Sequence, residues 1–149
     1  MEYYHEDMKI KDALKQLFAN FGIPVNAYTT HYFIIRVGPI PIHIPNILAR
    51  VKIARYHDVH HVLTGYPANW KGEAEIGAWE LATGCRKSFI AWFLNGGAVI
   101  VGLFLYPKAV IKAYLRGLKT RTNLYHNFVY DTLLEMTVKE VRELVGLAM

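Results

Sequence analysis

A chain of 149 residues is long enough for one domain with a proper buried core, and residues 1–149 are read as a single domain. Its 53% hydrophobic and 19% charged residues predict some apolar surface left for a lipid, a partner or a membrane, while a net charge of +5 permits an anionic partner without selecting one. The lone Cys85 excludes an internal disulfide framework, and the acidic opening from Met1 to Asp7 has no apolar stretch for a signal peptide nor the composition of a transit peptide.

The first helix is predicted over about residues 6 to 20. Met8, Ala13, Leu14, Leu17, Phe18 and Phe21 give it an apolar stripe, and Gly22 with Pro24 ends it. Residues 31–45 read differently. Tyr32 to Val37 is β-prone, Gly38-Pro39 signals a turn, and Ile40, Ile42 and Ile44 alternate with Pro41, His43 and Pro45. Prolines forbid a central strand, so a short edge hairpin or extended arm is expected.

Asn46 is the expected N-cap of a helix over about 47 to 63, closed by Thr64-Gly65. After the loop Tyr66-Pro67-Ala68-Asn69, a second helix starts near Trp70 and is expected to run towards Leu94, where Gly96-Gly97 breaks it. Pro107 opens a helix to about Leu118, and Thr120 to Met136 reads as helical again. Thr137-Val138-Lys139-Glu140 is a capping box, and Gly146 stops the last short helix. The fold class is therefore all-α, with the arm near 31–45 as the exception.

The chemistry concentrates in His57-Asp58-Val59-His60-His61, with Glu73 twelve residues further on. At 100° per residue, His57, Asp58 and His61 fall within an arc of about 100°, and small Ala54 on that arc leaves room for an ion. A short connection packs the next helix antiparallel, so Glu73 in its first turn meets the last turn of the helix before. Two imidazoles and two carboxylates suit zinc or another divalent first-row metal, which makes His57, Asp58, His61 and Glu73 the candidate ligands. Any one of them alone would be explained as a polar residue favoured at a helix end by the dipole. Their shared phase and short connection favour the metal. His60 points about 100° away from His61, which suits a role behind the ligands or at the surface. His5, His31, His43 and His126 have no partner spacing and are read as structural.

The H-E-x-x-H pattern of zinc proteases is matched only in part. Asp58 stands where their general base would be, and four ligands would nearly close the site against water, which argues against a protease.

The run from His57 to Tyr66, with Thr64-Gly65 after the second histidine and eleven residues between His61 and Glu73, resembles the signature of the coenzyme Q biosynthesis protein 4 family. The ending Val138-Lys139-Glu140-Val141-Arg142-Glu143-Leu144-Val145-Gly146 is similar to that family's usual close. The likeness covers about residues 45 to 149. It implies an all-helical fold holding a divalent metal, often taken as zinc, through His57, Asp58, His61 and Glu73. It further implies a polyprenyl chain in an apolar groove, membrane attachment, and a place among other quinone-biosynthesis enzymes, either as their organiser or in oxidative removal of the ring C1 carboxyl of a polyprenylated hydroxybenzoate. With no targeting segment, a bacterial-type relative is expected over a mitochondrial one.

From Ser88 to Pro107 there is no charge, and Trp92, Phe93, Val99, Ile100, Val101, Leu103, Phe104 and Leu105 dominate. That is about the length of a membrane span, but Asn95-Gly96-Gly97 and Gly102 interrupt it, so two buried helical segments are preferred. They would either line a tunnel for a prenyl or acyl tail or simply fill the core. Lys108, Lys112 and Arg116, extended by Lys119, form a cationic ridge suited to an anionic membrane surface, or else to ordinary solvent contact. No nucleic-acid motif accompanies it.

The expected protein is a metal-dependent enzyme of a quinone precursor, cytoplasmic and peripheral at the inner face of a membrane, with Asp58 as the catalytic proton carrier. Absence of a flavin or nicotinamide fingerprint leaves oxygen or a partner as electron acceptor. A prenyl-lipid carrier or scaffold with a structural metal is the alternative, a metal-dependent hydrolase the weaker one, and a homodimer remains open.

Overall fold

In a computed structural model of the chain, residues 4–37, 39–85, 89–126 and 128–147 are described, with only the backbone of 35–37. Gly38 of the expected turn, Ser88 at the head of the uncharged run and Met1, Glu2 and Tyr3 of the acidic opening lie outside them.

Among the described residues, seven helices and one hairpin follow in chain order. They are α1 (Ile10–Phe21), β1 (Tyr32–Val37), β2 (Ile40–Pro45), α2 (Leu48–Thr64), α3 (Trp70–Thr83), α4 (Phe89–Leu105), α5 (Pro107–Leu118), α6 (Tyr130–Glu135) and α7 (Val138–Val145). The all-α expectation holds. The strands pair antiparallel from Tyr32↔Pro45 to Val37↔Ile40, and the side chains of Ile40, Ile42 and His43 are exposed, as an arm standing off the body requires.

The apolar stripe of α1 buries Ile10, Ala13, Leu14 and Leu17, and Gly22 ends the helix at φ 63°, a conformation that costs glycine least. α7 has the capping box in full: Thr137 accepts from the Glu140 N–H, and Glu140 returns the bond to the Thr137 N–H. The two ends of the chain are tied together, since Ile10 N donates to Met136 O and Val138 N to Met8 O. Lys9 and Lys11 both reach Glu135. α3 forms the centre, packed on α4 and α5 and facing α2.

Five local expectations fail. Asn46 does not cap α2. Its amide donates to Ala27 O and Thr30 O at 2.8 Å each, fastening the loop before the hairpin, and Ile47 becomes the N-cap without a side-chain bond. The long helix from Trp70 is interrupted earlier than expected, at Gly84, whose φ of 95° is not helical. Gly96-Gly97 does not break α4. A glycine costs a helix about 1 kcal/mol, too little to outweigh the unbroken apolar run around it.

Residues 120–136 are helical only over α6, because the preceding stretch gives its polar groups to other partners. Asn123 donates to Thr83 Oγ1 and Gly84 O, and the Leu124 N–H goes to His60 Nε2.

The uncharged run is also not two buried segments. Only Ala91, Asn95 and Gly102 of α4 are buried, while Phe89 and Phe104 are 81% and 84% exposed. Its contact with α3 runs along small residues: a Cβ on Gly102 would stand 2.3 Å from Ala74 Cβ. No helix among the described residues is long and apolar enough to cross a membrane.

Candidate metal centre

The site lies in the seam between the end of α2 and the first turns of α3. Gly65 stops α2 at φ 74°, and its N–H returns to His61 O. Two arginines hold the last carbonyls of α2, Arg116 Nη1 on Thr64 O at 2.8 Å and Arg142 Nε on Leu63 O at 2.9 Å, where cations suit the helix dipole. Arg116 thus leaves the expected cationic ridge, whose exposed members are Lys108, Lys112 and Lys119.

Asn69 caps α3 by accepting from Gly72 N at 3.0 Å. Gly72 is required there, because a Cβ would fall 1.7 Å from Pro67 O. That close return of the loop delivers Glu73 to the two histidines.

His57, His61 and Glu73 each turn one donor atom to a common point, all within 4.8 Å of one another. His61 Nε2 stands 3.1 Å from His57 Nε2 and 3.3 Å from Glu73 Oε1, and His57 Nε2 is 3.2 Å from Glu73 Oε2. Ligands about 2.0–2.1 Å from a tetrahedral zinc are separated by about 3.3 Å, a spacing that the two Nε2 atoms approach, while Glu73 turns a different oxygen to each histidine.

The other ring nitrogens fix the protonation. His61 Nδ1 is 2.8 Å from the Tyr66 carbonyl and His57 Nδ1 is 3.0 Å from Glu80 Oε1, both acceptors only, so each Nδ1 carries hydrogen. In neutral imidazoles the two Nε2 lone pairs then face each other and a carboxylate. Only a cation satisfies that arrangement, either a metal ion or a proton. The same preference appears in the ionisation of His57. Burial opposes its charged form, but the charges of Glu80 and Glu73 outweigh burial and raise its pKa well above the ordinary 6.5.

Asp58, expected as a further ligand, is not one of the three convergent residues. It accepts a hydrogen bond from the Tyr28 hydroxyl, and burial raises its pKa despite the neighbouring charges of His57 and His61. Tyr28 is brought in by the loop after α1, a placement that no periodicity in the chain signals. His60, expected behind the ligands or at the surface, is fully buried behind them. Its Nδ1 donates to Glu80 Oε1 at 2.6 Å and its Nε2 accepts from Leu124 N at 3.0 Å, and burial lowers its pKa.

Sequence reasoning missed Glu80. It is wholly buried and lies seven residues after Glu73 on α3, on the same helical face. That spacing, within the apolar run Ile76 to Leu81, was the available signal. Cys85 lies beyond it, buried, its thiol pushed up to about 11 by burial, and so no thiolate is offered to the site.

The trio is approachable. Side chains of Glu73 and His57 are 40% and 20% exposed. Nearby, a cavity of about 560 Å3 is lined by Leu14, Phe18, Ile23, Tyr28, Tyr130 and Leu134, so the ring that bonds Asp58 is also part of an apolar wall. Comparison with protein-family models, with curated proteins and with solved structures gives no match, so the family likeness rests on the residues quoted for it.

Proposed function

We propose that this chain binds a divalent metal, zinc by the chemistry of its ligands, and uses it on a lipid-tailed aromatic substrate of the kind handled in ubiquinone biosynthesis. The observation that carries this reading is the convergence of His57 Nε2, His61 Nε2 and Glu73, with both Nδ1 atoms already committed elsewhere. A bound divalent ion there would supply Lewis acidity towards a ring carboxylate or phenolate.

His57, His61 and Glu73 are the holding groups. With Asp58 engaged by Tyr28, three ligands leave a coordination position for substrate, and the exposure of Glu73 keeps it within reach. Asp58, with its raised pKa and its Tyr28 partner, is the group assigned to hold and return a proton. The apolar cavity at Tyr28 suits a prenyl tail, and the exposed apolar face of α4 beside Lys108 and Lys112 suits the surface of an anionic membrane. Electrons of an oxidative step would pass to oxygen or to a partner enzyme.

A carrier or scaffold with a structural metal would share the lipid features. The accessible side of the trio favours catalysis over it. Purified protein is expected to hold about one zinc per chain, to release a prenyl lipid on solvent extraction, and to turn over a prenylated hydroxybenzoate. Lipid without turnover favours the carrier. A chain that binds no divalent metal ends both readings.

A further inference from the structure

The four groups around Glu80 form a second layer behind the metal ligands. Its Oε1 accepts from His57 Nδ1 at 3.0 Å and His60 Nδ1 at 2.6 Å, and its Oε2 accepts from Asn95 Nδ2 at 2.5 Å and Tyr125 Oη at 2.9 Å. Those four donors use the lone pairs of the carboxylate, so neither oxygen is left to coordinate an ion. The donors come from α2, α4 and the segment before α6, which fixes the carboxylate in three directions. Four bonds also answer the question a wholly buried carboxylate raises, since an ionised group is retained in the interior only where it is paired and hydrogen-bonded.

Two consequences follow for the metal. Holding the Nδ1 hydrogen of His57 leaves Nε2 as the only lone pair on that ring, and sets the ring plane so that Nε2 faces His61 and Glu73. Ionised Glu80 adds its negative charge to that of Glu73 on the far side of His57, which favours a divalent over a monovalent ion between the ligands.

We infer that Glu80 is the positioning residue of the metal centre, orienting His57 through its Nδ1 and supplying a second negative charge that favours a divalent ion. This rests on the metal reading above. It gives Asn95 a role as well: its buried amide is the contact through which α4 steadies the carboxylate behind the metal.

The test measures the zinc dissociation constant of the wild-type chain and of Glu80→Gln by chelator competition, with thermal melting of both metal-free proteins alongside. Glu80→Gln is expected to weaken zinc by about 10–100-fold, the usual effect of losing such a partner. Melting of the metal-free protein should change much less. Equal affinity in the two proteins overturns the role of Glu80 and leaves the metal reading intact, whereas a wild-type chain that takes up no zinc overturns both.

Should Glu80→Gln fail to fold, long-range proton–nitrogen spectra of zinc-loaded wild type decide the question. They are expected to show His57 with hydrogen on Nδ1 and the metal on Nε2. A metal on Nδ1 of His57 contradicts the inference.

Discussion

The α2–α3 seam, which Asn95 joins from the inner side of α4, and the outer face of that helix are built on opposite principles. In the seam, His57, His60, His61 and Glu80 have definite partners for their polar atoms, and the arrangement tolerates one geometry. On α4, Phe89, Phe93, Phe104 and Leu105 stand largely exposed. A buried polar network is decided atom by atom, because each unsatisfied group costs about 1–3 kcal/mol. An exposed apolar face is decided by area, so its members can be exchanged singly at little cost to the fold.

Removing the ion is the strongest way to break the comparison. Zinc held at a thousandfold excess over its dissociation constant stabilises the chain by about 4 kcal/mol. Chelation should therefore lower the melting temperature by roughly 10 °C, as calorimetry will read.

Next in size is Gly72→Ala. Its Cβ would meet the Pro67 carbonyl at 1.7 Å, so the loop must move. We expect a loss of about 3 kcal/mol in denaturant unfolding, with zinc affinity falling too because Glu73 is displaced.

The α4–α5 side should respond in the reverse pattern. Lys108→Ala and Lys112→Ala are each expected to weaken binding to anionic vesicles by about 1 kcal/mol, measured by sedimentation, and to leave zinc affinity unchanged. Phe93→Ser should act likewise, with unfolding free energy altered by no more than about 0.5 kcal/mol.

The smallest effect concerns pH and sharpens the seam alone. In metal-free protein the raised pKa of His57 contributes stability in full below the ordinary 6.5, which is lost as pH rises through the higher folded value. The lowered pKa values of Glu73, where His61 and His57 outweigh burial, and of Glu80, where His57 and His60 outweigh it, contribute above the ordinary 4.5 and are lost as pH falls through the lower folded values. For these three groups, metal-free stability should peak between about pH 4.5 and 6.5, and zinc should remove the decline above 6.5 by taking the proton's place.

Much of this was legible in the chain. Helical phase put His57 and His61 together, the short loop brought Glu73 to them, and Gly22, Gly65 and Gly146 marked three helix ends because each adopts positive φ. What stayed hidden depended on contacts distant in sequence. Tyr28 reaches Asp58 across 30 positions and Tyr125 reaches Glu80 across 45, and no periodicity reports such pairs. The helix breaks assigned to Gly96-Gly97 failed because propensity is a weak force within a long apolar run. Burial of that run was misjudged since hydrophobicity alone does not tell which face the body of the protein covers.

The central claim is tested most directly by X-ray absorption at the zinc edge on the loaded wild-type chain and on His61→Ala. We expect two imidazole nitrogens at about 2.0–2.1 Å with carboxylate oxygen at about 2.0–2.2 Å in the wild type, and no stoichiometric zinc in the variant. Zinc bound equally by both proteins, or a wild-type spectrum without imidazole, would contradict the account.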